Sequence, residues 1–213
     1  MITKKEFPKG TIILFLSLIV LLTIIYLSQP PNKKTVPEDL IAVLRPHAIP
    51  LQPFTLIDQN NQAFTEEHLK GKWSFIFFGY TYCPDVCPTT LSTLKQINNA
   101  LKKKSQNVSD MQVIFVSVDP ERDKPGVLGE YTAYFSEEFI PVTGSADDLL
   151  SFSRQFSAAY IKETTDSRGD YLISHTSSIF LVDPKMRIVA SFSPPHDTET
   201  ITSQYLKIHD MFK

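Results

Sequence analysis

Trp73-Ser74-Phe75-Ile76-Phe77-Phe78-Gly79-Tyr80-Thr81-Tyr82-Cys83-Pro84-Asp85-Val86-Cys87-Pro88 decides how this chain folds and where its chemistry lies. Residues 73 to 78 form a near-continuous apolar run of strand length, the pattern of a strand covered on both faces. That run leads straight to two cysteines, four residues apart and the only two among 213 residues. From Thr89 the spacing of Leu91, Leu94, Ile97 and Leu101 is helical, and Lys102-Lys103-Lys104 suit the negative end of that helix. If the helix begins at or just after Cys83, side chains at i and i+4 share one face, and the free N–H groups of the first turn favour a thiolate. Two thiols where a buried strand turns into a helix point to a soft metal, a reversible disulfide, or both.

On either side of this turn, strands and helices alternate. Phe54-Thr55-Leu56-Ile57 and Ala63-Phe64-Thr65 flank Asp58-Gln59-Asn60-Asn61-Gln62, a hairpin turned by Asx residues, and a short helical turn follows over Glu66 to Lys70. A second buried strand, Gln112 to Val118, runs into Asp119-Pro120-Glu121-Arg122-Asp123-Lys124-Pro125. The chain then predicts a helix over Val127 to Phe135, a strand and turn at Phe139 to Gly144, and a helix over Ala146 to Ala158. It ends with a strand pair, Ser178 to Asp183 with Arg187 to Phe192, and a helix over Thr198 to Phe212. This order gives an α/β fold, a thioredoxin-like mixed sheet flanked by helices.

Composition and charge bound the compartment and the partners. Gly10 to Asn32 carry no charge, and Thr11 to Leu27 is apolar enough and just long enough to cross ~30 Å of hydrocarbon. No small-x-small cleavage site follows at Tyr26 to Pro31, so an uncleaved anchor is expected. Lys4, Lys5 and Lys9 before the segment outweigh Lys33 and Lys34 after it, favouring an inside N-terminus. The expected organisation is a short cytoplasmic N-terminus over 1–9, a transmembrane anchor over 10–29, a Pro-rich tether over 30–50 and one thioredoxin-like domain over 51–213. With no Arg- and Ser-rich leader, the expected place is a bacterial inner membrane, spanned once, with the C-terminal domain in the periplasm or extracytoplasmic space. A domain of that length buries its own core without disulfide staples, so the cysteines are free for chemistry. A formal net charge of −2 without a dense basic stripe excludes a nucleic-acid footprint.

In an open α/β sheet the working site lies at the C-terminal ends of the strands, where both Cys83 and Asp119 fall. In thioredoxin-like folds the loop before the next-to-last strand lies against the cysteine turn. Here that loop is Ser174-His175-Thr176-Ser177-Ser178, without the usual proline, so His175 can face both sulfurs. Two cysteines and a neutral histidine suit three-coordinate Cu(I), with room for another ligand on oxidation to Cu(II). Asp85 and Asp119 are turn or capping residues, or tune the site from behind its ligands. His196 is a candidate accessory ligand, with His47, His68 and His209 weaker ones, and Met111, Met186 and Met211 form no methionine-rich tract. The Asn107-Val108-Ser109 glycosylation triplet is a chance match.

Phe78 to Leu91, Val116-Ser117-Val118-Asp119-Pro120-Glu121-Arg122-Asp123 and His175-Thr176-Ser177-Ser178 together resemble the Sco/SenC family of thioredoxin-like copper proteins, over nearly all of residues 51 to 213. The resemblance implies a membrane-anchored copper chaperone, or a thiol reductase, that assists the dinuclear copper centre of cytochrome c oxidase. It also implies Cys83, Cys87 and His175 as metal ligands, with the copper-bearing oxidase subunit and a periplasmic thiol reductant as partners. Ser174 stands where the family often has aspartate, and Lys185-Met186 where glycine is usual in the last hairpin turn. The rival reading is a thiol–disulfide oxidoreductase without metal, with Cys83 and Cys87 catalytic, which has no need of His175. A peroxidase would need an arginine beside the thiol, and Arg122, Arg154 and Arg168 sit in no motif of that kind.

Overall fold

Phe75 and Phe77 point to one side of the central strand and Ile76 and Phe78 to the other, and all four are fully or almost fully buried. This period-two division of one apolar run builds two cores at once. The computed structural model describes residues 9–28, 36–104, 111–165 and 170–212, and within the first helix the side chains from Leu14 to Tyr26. Lys4, Lys5, Lys33, Lys34, the Asn107-Val108-Ser109 triplet and Arg168 lie outside the described residues.

The chain divides into two units, Met1–Pro37 and Glu38–Lys213. The first contains α1, Lys9–Leu27, about 28 Å long at 1.5 Å per residue. Among the described residues no helix is long and apolar enough to cross a membrane. The transmembrane anchor expected over 10–29 is thus not established by this helix.

The second unit follows the order β1 Leu44–Pro50, β2 Thr55–Asp58, β3 Ala63–Thr65, β4 Trp73–Gly79, α2 Val86–Lys104, β5 Met111–Ser117, α3 Pro125–Ala133 and β6 Ile140–Thr143. It continues with α4 Ala146–Gln155, β7 Tyr160–Lys162, β8 Ile173–His175, β9 Ile179–Val182, β10 Arg187–Phe192 and α5 Thr198–Met211. Eight strands form one sheet in the order β1-β10-β9-β4-β5-β6-β2-β3, and β7 and β8 form a separate two-stranded sheet. β4 runs parallel to β5, with Phe77 opposite Phe115, and antiparallel to β9, with Phe77 opposite Ile179. The result is the mixed thioredoxin-like sheet expected from the element order.

Trp73, Phe75 and Phe77 pack with Leu91, Leu94, Ile97 and Leu101 of α2, Leu128 of α3 and Ile201, Tyr205 and Ile208 of α5. Ile76, Phe78 and Tyr80 pack on the other face with Leu149 and Phe152 of α4 and with Phe156. Each fully buried side chain of this size contributes roughly 1.5–3 kcal/mol relative to exposure. Helices on both faces leave the C-terminal end of β4 as the open place where the cysteines emerge.

Three strands depart from the sequence reading. β1 lies inside the expected Pro-rich tether 30–50, pairing with β10 through Leu44 opposite Ala190 and Pro50 opposite Arg187. It sits at the edge of the sheet, where proline's missing N–H costs no ladder bond to a further strand. β7 and β8 frame a connection in which polar residues outnumber apolar ones, so no two-residue period announces them. In the last hairpin turn Met186 takes a left-handed backbone, φ 58°, the conformation for which glycine is favoured.

Candidate metal centre

The cysteine turn is made by backbone bonds that the sequence prepares. The Cys83 amide donates to the Tyr80 carbonyl at 3.3 Å, and the Thr89 amide to the Asp85 carbonyl at 3.2 Å. α2 therefore starts at Val86, three residues beyond Cys83, and Pro88 occupies its first turn, where a missing N–H is harmless. Cys83 lies just outside the helix and Cys87 just inside it. The free Cys87 amide donates to the Cys83 sulfur at 3.5 Å. Both thiols are free; Cys87 is buried and Cys83 is half-buried.

His175, at the end of β8, closes the group. Its Nε2 lies 3.5 Å from the Cys87 sulfur, and its Nδ1 lies 3.2 Å from the Thr176 carbonyl. With Nδ1–H donating to that carbonyl, the Nε2 lone pair is the one available to a metal. Potential ligand atoms of Cys83, Cys87 and His175 all lie within 4.8 Å of one another, the only such group of three among the described residues. Phe77 and Tyr80 meet the imidazole edge-on at 6.1 and 5.8 Å. These rings wall the inner side of the site with apolar surface, while Cys83 keeps its outer side open.

The two thiols are not equivalent. A hydrogen bond from Cys87 holds the Cys83 thiol well below its ordinary range; burial opposes this, and His175 and the amides of Cys87 and Asp85 add to it. The same shared hydrogen bond, together with burial, pushes Cys87 up, so the proton stays on the inner sulfur. The outer sulfur is therefore a partly exposed thiolate, the state that reacts and binds soft metals. In the metal-free reduced chain, iodoacetamide is expected to label Cys83 at about pH 6, where an ordinary thiol near 8.5 is almost wholly protonated. Cys87 should stay unlabelled. A labelling profile that rises only above about pH 8 would contradict the assignment of the thiolate to Cys83.

The aspartates expected behind the ligands do different work. Asp85 is exposed and reaches Cys83 through its backbone N–H. Asp119, 2% exposed, pairs with Arg122 and accepts from the Tyr171 hydroxyl at 2.8 Å. The carboxylate that ties the cysteine turn to the neighbouring loop is Asp123. It is fully buried and accepts from the Thr81 amide at 2.9 Å, the Thr81 hydroxyl at 2.5 Å and the Ser117 hydroxyl at 2.6 Å. It stands six residues beyond β5, in a loop with two other acidic residues, Asp119 and Glu121, and only its burial marks it out.

Gly79 was equally silent in the sequence. A Cβ there would stand 2.6 Å from the Cys87 sulfur and 2.8 Å from Phe115 Cε2, so the last residue of β4 must lack a side chain for Cys87 to sit where it does. The Ser174 hydroxyl donates to Glu163 at 2.6 Å rather than serving His175. His196 spends its two ring nitrogens on Thr90, 3.5 Å, and the Phe192 carbonyl, 3.2 Å, and joins no ligand cluster. His47 and His68 are exposed elsewhere, and His209 packs on Trp73. Arg122 is engaged with Asp119, and Arg154 is exposed on α4.

Comparison with known proteins places this geometry. The SCO1/SenC family model matches residues 44–210. The mitochondrial SCO1 homolog 1 of Arabidopsis thaliana is 36% identical over 155 residues, 73% of this chain and 46% of that protein, so this chain spans under half the length of that relative. The crystal structure of Arabidopsis thaliana ScoI with copper bound superposes with a TM-score of 0.69 at 35% identity, covering 73% of this chain and 95% of that one. BsSco, described as having a disulfide switch and as a member of the Sco family of cytochrome c oxidase assembly proteins, superposes with a TM-score of 0.60 at 26% identity, over 76% of this chain and 95% of its own.

Proposed function

Because this chain belongs to the SCO1/SenC family, we propose that it carries copper on Cys83, Cys87 and His175 and delivers it to the dinuclear copper centre of cytochrome c oxidase. The observation that carries this reading is the convergence of two sulfurs and one imidazole nitrogen within 4.8 Å, with Cys83 and His175 half-buried and Cys87 fully buried. Thiolate and imidazole donors without a carboxylate suit Cu(I), and a fourth ligand from outside suits Cu(II).

The inequality of the thiols supports an order of events. Incoming copper meets the Cys83 thiolate first, Cys87 then gives up its proton, and His175 closes through Nε2. Release reverses this order, with a partner's ligand replacing Cys83 at the open side. Since loading expels the Cys87 proton, affinity rises with pH and falls in acid.

The uncharged apolar stretch Thr11 to Leu27 and the lysines that precede it in the sequence support a single-pass anchor in a bacterial inner membrane, with the metal domain on the periplasmic side. On that side an oxidising environment drives the two thiols toward a disulfide that cannot hold copper, so a thiol reductant is a required partner.

A second reading has its own observation. A half-exposed thiolate hydrogen-bonded to a protonated inner thiol is also what a thiol–disulfide oxidoreductase uses to attack and resolve a mixed disulfide. Copper titration of the reduced full chain against a competing chelator separates the two. One-to-one binding that weakens about a hundredfold or more in His175→Ala supports metal carriage, since loss even of a group behind the ligands costs 10–100-fold. Equal affinity in wild type and His175→Ala would remove the histidine from the site and favour dithiol exchange.

A further inference from the structure

His175 stands on β8, and among the described residues β8 pairs only with β7, through Tyr160 opposite His175 and Lys162 opposite Ile173. Among the described residues no ladder joins this hairpin to the eight-stranded sheet whose strand β4 leads to the cysteines. A lone two-stranded hairpin is marginal in water, so the distance from imidazole to sulfur depends on whatever side chains fasten it.

Arg122 is the centre of that fastening. Its guanidinium carbon lies 3.6 Å from the ring centre of Tyr171, two residues before β8, and 4.6 Å from that of Tyr82, next to Cys83. It also lies 5.6 Å from the ring centre of Tyr80. Its Nη1 donates to the Tyr171 carbonyl at 3.0 Å, and its Nε to buried Asp119 at 2.5 Å. Asp119 in turn accepts from the Tyr171 hydroxyl. The Tyr80 hydroxyl accepts the Ile173 amide at 3.2 Å, a second tie between the cysteine turn and the strand of His175. A planar, permanently charged group is suited to stacking on rings while its edge makes directed hydrogen bonds.

We infer that Arg122 is a positioning residue for the metal centre: stacked on Tyr82 and Tyr171 and bonded to the Tyr171 carbonyl, it clamps the His175 hairpin against the cysteine turn. This rests on the reading of Cys83, Cys87 and His175 as the copper ligands. Without the clamp the two cysteines remain in place, held by β4 and α2, and the histidine becomes an intermittent ligand.

The test is a Cu(I) competition titration of the full chain in five forms: wild type, Arg122→Met, Tyr171→Leu, His175→Ala, and Arg122→Met with His175→Ala. Tyr171→Leu is included because it leaves the Asp119–Arg122 pair intact if Arg122→Met folds poorly. Each clamp variant is expected to bind about tenfold more weakly. In the His175→Ala background, Arg122→Met should add nothing, because it acts only through the histidine. Cu(II) bound to either clamp variant should lose nitrogen hyperfine structure in its electron paramagnetic resonance spectrum. The metal-free variants should exchange the Ile173 amide faster than wild type. An equal loss with and without His175, or wild-type affinity and exchange in both clamp variants, would overturn the clamp while leaving the copper site standing. Wild-type binding that ignores His175 would instead overturn the copper-site reading, and the clamp with it.

Discussion

Cys87→Ala is expected to lower Cu(I) affinity by about a thousandfold or more, roughly 4 kcal/mol at 1.4 kcal/mol per tenfold. Removing a ligand should exceed the 10–100-fold cost of removing a group that only orients one. The same substitution deletes the hydrogen bond that holds the Cys83 thiol low. Cys83 should therefore titrate nearer an ordinary thiol, and its alkylation profile should move to higher pH. Sign and cause agree: without a donor to stabilise the thiolate, the proton returns to Cys83. The fold should survive, since alanine in place of a buried cysteine removes a single heavy atom. A chelator competition on the purified, reduced variant reads the first effect and a pH series of labelling reads the second. Affinity within tenfold of wild type would exclude Cys87 as a ligand.

Gly79→Ala carries the second large effect, at a residue that touches no metal. The new methyl would overlap the Cys87 sulfur and the Phe115 ring, and both side chains are fully buried with nowhere to retreat. Overpacking of this kind costs about 1–3 kcal/mol, a fall of several degrees in Tm for a domain of this size. Relief must come from α2 lifting off β4 or from the Cys87 sulfur turning away from His175. Either movement separates the ligands, so copper affinity should fall at least about tenfold alongside the loss of stability. Thermal unfolding and copper titration of the same preparation measure both. An alanine variant with wild-type Tm and wild-type affinity would show that the crowding is relieved elsewhere.

Much of the fold was legible because its signals are local. The near-continuous apolar run at 73–78, the helical spacing from Leu91 to Leu101 and the Asx turn at 58–62 each state their own conformation within a few residues. The cysteine pair was legible for the same reason, and the approach of His175 followed from the order of elements. β7 and β8 escaped because strands of three residues are too short to show a period, and β1 because this seven-residue edge strand buries none of its side chains fully and carries two prolines. The partner of Ser174, which stands where the family often has aspartate, was not legible: its hydroxyl donates to Glu163.

By itself the sequence determined a mixed α/β sheet, the strand that delivers two thiols to its open end, and the family to which the chain belongs. Those properties follow from side-chain period and from motifs read along the chain. Tertiary structure alone decided which thiol is charged, why position 79 tolerates no side chain, that Asp123 rather than Asp85 braces the cysteine turn, and that Arg122 bridges the two halves of the site. Each of these depends on burial and on distances between residues far apart in sequence. A proton's preference, a steric limit and a stacked guanidinium exist only once the chain has closed around them.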